Sequence, residues 1–384
     1  MSKRHRSDDD GGELESRRPH SRHRRRRRRR HLYVVLDDWS KGYSVYKVDV
    51  DGFDGDPDAD LDDEAVRLPE PPVFRLETAD YGRFGIFVAV GSRIFATHYS
   101  EDTNARAPVL MFDTVTGGLA VCPGVPAELC NQPMIFPAGD KVYAMGRSKI
   151  KMDARGESRK YLEELAADGE GSWAWSSSVD DRAPPPPFDV ERARCHAAHP
   201  DGRTVFFSAH GDGTYSFDAG TRGWTRHGEW MLPFDGQAYY DGELDAWVGL
   251  WSGHSGRRGR VCSCDVVDPR GGGGGEQPPP AWKLAVRSHP AWRARSRFLS
   301  VALARMGGGE FCVVEWRSRR GVSEEELHER CLLYATTFRL RYDRDGSLEA
   351  TDRRARAFTA RKKSDEFEWS SMVLTGTWAT TRRA

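Results

Sequence analysis

Chemistry in this chain would have to come from a small set of side chains. Cys195-His196 with His199, and Cys262-Ser263-Cys264, carry the residue types of a zinc site. Zinc sites take their ligands in closely spaced pairs, twice over. A Cys-x-Cys on a strand turns both thiols to one face, but no matching second pair accompanies it. The bland reading is small buried residues on strands, and no metal or cofactor is expected. His210 stands before Gly211-Asp212-Gly213, where it could serve as an acid or base or simply belong to a turn. Asp37-Asp38 could form a carboxylate pair for proton transfer. In a hairpin turn, however, Asp usually bonds its own backbone. Asp113 and Asp218 each close a third strand ahead of a tight turn; they could form part of a ring of carboxylates at one mouth of the fold, or simply bond the N–H groups of the turn that follows. Gly253-His254-Ser255-Gly256 is one residue short of a nucleophile elbow, and no phosphate loop or zinc-protease motif is present.

The elements that would hold these residues are short strands. Cys195–Ala198, Thr204–Ala209, Thr214–Asp218 and Trp224–Gly228 are rich in β-branched and aromatic residues. They are separated by Pro200-Asp201-Gly202-Arg203, by Gly211-Asp212-Gly213 and by Ala219 to Gly223, all turn chemistry. A four-stranded meander of this kind has two apolar faces and needs neighbours on both sides. Flanking segments repeat the order. Phe87–Val90, Ile94–His98, Val109–Asp113 and Leu119–Cys122 form one such unit within 73–126. Met134–Pro137, Lys141–Met145 and Trp173–Trp175 form another, with Tyr161–Ala166 read as an amphipathic helix in its insertion. Gly236–Tyr240, Ala246–Leu250, Arg260–Val267 and Trp282–Val286 form a fifth. Phe298–Ala304, Phe311–Trp316, Leu332–Tyr342 and Leu348–Phe358 form a sixth, with Ser323 and Glu326 as a capping box for a short loop helix. Leu32–Leu36 and Tyr43–Val50, joined by a turn at Asp37–Gly42, are expected to share a sheet with C-terminal strands and so close a ring. The fold expected is all-β, a β-propeller of about six four-stranded blades over residues 31–379.

Residues 1–30 are a different material. Residues 1–31 hold thirteen Lys or Arg against five acids, and Arg24, Arg25, Arg26, Arg27, Arg28, Arg29 and Arg30 are unbroken. Such a composition buries no core and predicts a disordered basic tail. The run is a candidate nuclear-import signal; an inert tail and a nucleic-acid tether are the other readings. Asp49 to Glu64 is the opposite, nine carboxylates in sixteen positions, out of register with a calcium loop. Seven Cys in no framework predict a reducing compartment, nucleus or cytoplasm. No long apolar run or signal-type N-terminus points to a membrane or to secretion.

The strings His31-Leu32-Tyr33-Val34-Val35-Leu36-Asp37-Asp38-Trp39 and Gly42-Tyr43-Ser44-Val45-Tyr46 carry a family likeness. Leu68 to Arg75, Ala89 to Ile94 and Val109 to Thr114 extend it. Together they resemble a plant family, abundant in grasses, known as domain of unknown function 1668. The resemblance covers roughly 31–375 and implies a kelch-like propeller with no set activity. The double glycine usual in kelch repeats is missing, since Gly146 stands alone, and residues 1–30 cannot be an F-box.

Function is expected to be that of a non-catalytic, monomeric protein-interaction scaffold. Long loops at 51–67, 99–107, 147–170, 252–280 and 317–329 would choose an unknown protein partner. The alternatives are a propeller-type enzyme with a site at the channel mouth, or a nucleic-acid-associated protein tethered by its Arg tail.

Overall fold

The computed structural model describes residues 30–39, 42–77, 85–98, 108–126, 129, 131–152, 158–167, 172–176, 184–253, 259–271, 276–286, 298–318, 331–359 and 374–377. Among them the chain is all-β, with short 3-10 turns such as Val50–Gly52 and no α-helix. It opens with β1 (His31–Trp39), β2 (Gly42–Asp49), the two-residue β3 (Val66–Arg67) and β4 (Phe74–Glu77). A first full meander is β5 (Gly85–Val90), β6 (Arg93–His98), β7 (Val109–Asp113) and β8 (Leu119–Cys122). The next is β9 (Asn131–Ala138), β10 (Lys141–Met152), β11 (Ser158–Ala167) and β12 (Trp173–Trp175). Then come β13 (Ala193–Ala198), β14 (Thr204–Ala209), β15 (Gly213–Asp218) and β16 (Gly223–Gly228). They precede β17 (Phe234–Asp241), β18 (Ala246–Trp251), β19 (Val261–Asp265) and β20 (Trp282–Leu284). The last meander is β21 (Phe298–Gly307), β22 (Glu310–Ser318), β23 (Cys331–Tyr342) and β24 (Leu348–Thr359), followed by β25 (Leu374–Thr377).

Pairing groups these strands into five sheets. The first has the order β25-β1-β2-β4, so a C-terminal strand completes an N-terminal sheet, with Val34 opposite Leu374. Two meanders stand alone, and β13–β16 is fused to β17–β20 by a parallel seam between β13 and β17. The last meander takes β3 as a fifth strand alongside β24.

The cores lie between sheets. Each unit shares an apolar cluster with the unit before it and the unit after it. Tyr33, Tyr43 and Phe74 meet Phe87 and Phe112; Phe95 and Val109 meet Val142 and Leu165. Phe136 and Tyr143 meet Phe207 and Phe217, and Ala197 and Phe206 meet Phe234 and Trp247. Val248 and Val261 meet Phe311 and Val313. Val314 and Leu333 then meet Leu32 and Val34, so the last unit packs on the first. Edge-to-face rings at 4.8 Å (Phe136 on Phe207) and 5.1 Å (Tyr143 on Phe217) fill the third of these interfaces, each pair worth about 1 kcal/mol beyond burial.

Several expectations are corrected. Tyr161–Ala166 is strand, not helix: it lies in β11, with Leu162 opposite Met145 of β10. Its Leu-Glu-Glu-Leu-Ala-Ala composition favours a helix, but the open ladder of β10 and burial on both faces outweigh that preference. The same two strands occupy most of what reads as a loop at 147–170. Asp37–Trp39 continues β1 instead of turning, and Trp39 pairs with Gly42. The segment at Val73 belongs with the first sheet, through β4. The stretch at 252–280, read as a loop, carries β19 and is held to the sheet at Gln277. Ser323 and Glu326 lie outside the described residues.

Of the Arg run, Arg24–Arg29 lie outside the described residues. Arg30, read as tail, is anchored. Its backbone N–H and Nε donate to Asp51 at 2.9 Å each, and its guanidinium also pairs with Glu310 of the β21–β22 hairpin. No helix among the described residues is long and apolar enough to cross a membrane.

Candidate functional site

The seam between β13 and β17 gathers several polar groups on two first strands of the meanders. Its register sets Cys195 opposite Gly236, His196 opposite Gln237 and Ala197 opposite Ala238. Side chains alternate across a strand. Cys195 and Ala197 therefore enter the apolar cluster around Trp247, while Arg194 and His196 take the other face. Gly236 sits at φ +76, where the β17–β18 ladder shifts register between Asp235 and Tyr239, a bulge that glycine permits. Tyr239 Oη lies 3.3 Å from Gln237 Oε1 and 3.2 Å from the Leu303 carbonyl of β21, and can donate to either. Arg194 faces Asp235 at 3.9 Å near the same end of the seam. The half-buried His196 ring stacks on Phe207 at 6.2 Å, and burial pushes its pKa down to about 4, so it is neutral near pH 7. Burial likewise pushes the Tyr239 phenol upward. The row formed by Arg194, His196, Asp235, Gln237 and Tyr239 offers donors and acceptors of both signs of charge.

The residues singled out for chemistry are mostly spoken for. Burial raises the Cys195 thiol to about 12 and drives Cys262 and Cys264 upward as well; all three sit in the Trp247 cluster as thiols. His199 Nδ1 accepts from the Asp201 N–H at 3.2 Å. Asp218 Oδ1 accepts from the N–H groups of Gly220 and Thr221, and Asp113 Oδ1 from Val115 and Thr116. Asp201 and Asp241 repeat the pattern at Arg203 and Thr204, and at Glu243 and Leu244. These are Asx turns that bind the chain to itself. His210 precedes β15 and Asp218 ends it, so the two are about 17 Å apart along an extended strand and cannot share a proton. The side chains of Asp37 and Asp38, and His254 to Gly256, lie outside the described residues. No group of three His, Cys, Asp or Glu that could hold a metal is found among the described residues.

One arrangement was not legible in the sequence. His227 is buried, with Nε2 2.8 Å from Ser216 Oγ and Nδ1 2.9 Å from Gln277 Oε1. With the proton on Nδ1, the imidazole donates to Gln277 and accepts from Ser216. The order resembles an activated serine, but Ser216 is itself buried, and the Phe206 ring lies 4.7 Å from the imidazole. Its work is structural. Gln277 also donates its N–H to the His227 carbonyl and accepts from Trp230 Nε1, at 2.8 Å each, pinning the Pro-rich stretch to the sheet. Burial lowers the His227 pKa, which keeps the pin neutral. Nothing in the spacing of Ser216, His227 and Gln277 announces this meeting.

The sequence profile of the family described as "Protein of unknown function (DUF1668)" matches residues 29–358. No curated protein matches the chain. Among solved structures, it resembles a Bacteroides uniformis protein provisionally assigned as a 6-phosphogluconolactonase, at 13% identity and TM-score 0.41, over 86% of this chain and 97% of that one. It resembles the periplasmic gluconolactonase of Pseudomonas aeruginosa at 12% identity and TM-score 0.36, over 86% and 99%. It also resembles apo AztD of Citrobacter koseri at 10% identity and TM-score 0.37, over 93% and 100%. At these values no substrate carries over.

Proposed function

The chain belongs to the DUF1668 family, and on that footing we propose that it is a kelch-like β-propeller of six blades acting as a non-catalytic scaffold for a protein partner. The blade reading is supported by the succession of shared cores, in which each meander packs on the next and the last on the first. It is also supported by the strands at one side of each unit, since β13 pairs with β17, β5 lies against β9, and β21 lies against β25, the strand that completes the first sheet. In this arrangement these strands ring an axis, and their starting ends share one face.

The observation that carries the functional reading is the row Arg194, His196, Asp235, Gln237 and Tyr239. It offers hydrogen bonds and both charges to an incoming chain. Its imidazole is neutral and makes no hydrogen bond to a nucleophile among the described residues. Recognition needs no more than this; acid–base catalysis needs a poised partner for the imidazole.

The test starts from photo-crosslinking at position 237, within the row, to identify the bound protein. Binary affinity is then measured with that protein purified. Arg194→Glu and Asp235→Lys should each weaken binding at least tenfold with the melting temperature unchanged. Equal affinity in both variants would overturn the proposal. So would turnover of a panel of lactones or esters that vanishes in His196→Ala, which is the enzyme alternative. The same proposal takes the protein as a monomer of the nucleus or cytoplasm, with the Arg24–Arg29 stretch as its import signal. A fluorescent fusion lacking residues 1–29 that still enters the nucleus would remove that part.

A further inference from the structure

The acidic stretch does not stand free as a loop. It lies as a strap along the outer strand of the last sheet. Gly55 N–H donates to the Ala355 carbonyl at 3.0 Å, and Ala355 N–H returns to the Gly55 carbonyl at 2.9 Å. Asp58 pairs with Arg353 through two contacts, at 2.8 and 3.0 Å, and Asp54 meets Arg356 at 2.7 Å. Leu61 is buried against Leu332, Tyr334, Ala355 and Ala357. Val66 and Arg67 then add in parallel beside Phe358 and Thr359. β24 would otherwise present an open ladder with Arg353, Arg354 and Arg356 along it.

The strap is a light cover. Its ion pairs are with exposed carboxylates, Asp54 at 82% and Asp58 at 58%, and its ladder to β24 is two residues and one bridge. Arg354 is exposed and forms no ion pair among the described residues. A cleft of about 380 Å³ remains between strap and strand, lined by Phe53 to Pro57 with Arg353 and Arg354.

From this geometry we propose that the β24 edge is a docking site for an extended acidic segment of a partner protein, and that residues 54–67 occupy it as a displaceable internal copy. The strap defines the chemistry the edge accepts: backbone pairing at Ala355, carboxylates for Arg353 and Arg356, and an apolar residue for the Leu332–Tyr334 pocket. This is strand addition with charge complementarity. The site is separate from the β13–β17 row and stands or falls independently of it.

Gly55 supplies the lever. A Cβ there would lie 2.7 Å from the Ala355 carbonyl, so Gly55→Val lifts the strap without altering β24. The probe is a labelled synthetic peptide copying residues 54–67, titrated by anisotropy against full-length protein, beside a scrambled peptide of equal composition. Gly55→Val should bind the copy at least tenfold more tightly than the unaltered chain. Adding Arg353→Glu should abolish the gain, and the scrambled peptide should not bind. Hydrogen exchange should show the peptide restoring protection to the Ala355 amide. Asp58→Asn, at an exposed position, releases the strap by a second route, and must shift affinity the same way if Gly55→Val fails to fold. No gain in a folded variant, equal binding of the scrambled peptide, or a concentration-dependent dimer of Gly55→Val that excludes the peptide would each overturn the proposal.

Discussion

Arg30→Ala offers a sharp perturbation, because composition assigns Arg30 to a solvated tail and the structure gives it partners. Its side chain is 13% exposed, Glu310 11% and Asp51 26%. Burial works against the charge, but the hydrogen bonds to Asp51 and Glu310 outweigh it and raise the guanidinium pKa. Removing a partner from a buried ion pair costs about 3–5 kcal/mol. Here solvent reaches Asp51, and Arg339 lies 3.9 Å from Glu310 as a substitute, so about 2–3 kcal/mol is expected, the scale of charged hydrogen bonds. For a folded region of this size that is about 3 °C in melting temperature. Urea unfolding at constant m-value, with Arg24→Ala as the control, measures it. A double-mutant cycle with Glu310→Gln should return a coupling of about 1–2 kcal/mol. If Arg30→Ala matches Arg24→Ala within about 0.5 kcal/mol, Arg30 is tail after all.

Stability should fall with acid through His196. Its folded pKa of about 4 lies below the usual value of about 6.5, so the unfolded chain takes up the proton first as pH drops. The contribution is whole above pH 6.5 and is lost toward pH 4, about 2 kcal/mol between pH 7 and pH 5. His196→Gln should flatten the urea midpoint against pH, leaving a shallower slope of the same sign from His227; an unchanged slope refutes the assignment. Asp218→Ala should cost about 1 kcal/mol by chemical denaturation and leave partner affinity untouched, since its carboxylate binds the Gly220 and Thr221 N–H groups. Reduced native protein should react slowly with a thiol-specific dye at Cys122, Cys195, Cys262, Cys264 and Cys312, which are buried with raised pKa, and quickly in denaturant. Rapid mass-resolved labelling of Cys195 in the folded state would contradict the burial assigned to it.

What could be read from residue order was local. Thr204–Ala209 and Val109–Asp113 were visible because β-branched and aromatic runs end in Asp-Gly or Gly-Gly turns, and they keep those bounds in the fold. The turn role of Asp113 and Asp218 was also visible, because Asx chemistry acts over two or three residues. What escaped depends on distance in the chain. β11 is a strand because β10 offers it a ladder, against its own helix preference. The acidic stretch read as a loop because its partners, Arg353 and Arg356, come some 300 positions later. The row at the seam needed the parallel register of β13 and β17, which no single segment encodes.

β25 gives the chain a particular problem during synthesis. The sheet holding β1, the first strand among the described residues, lacks one edge strand until Leu374–Thr377 has been made. Throughout translation, β1 presents an unsatisfied ladder to everything nearby, including other nascent copies. A product that stops before Leu374 would be open along β1. An exposed edge of β1 is thus a signal, open to quality control, that β25 has not yet been made or docked.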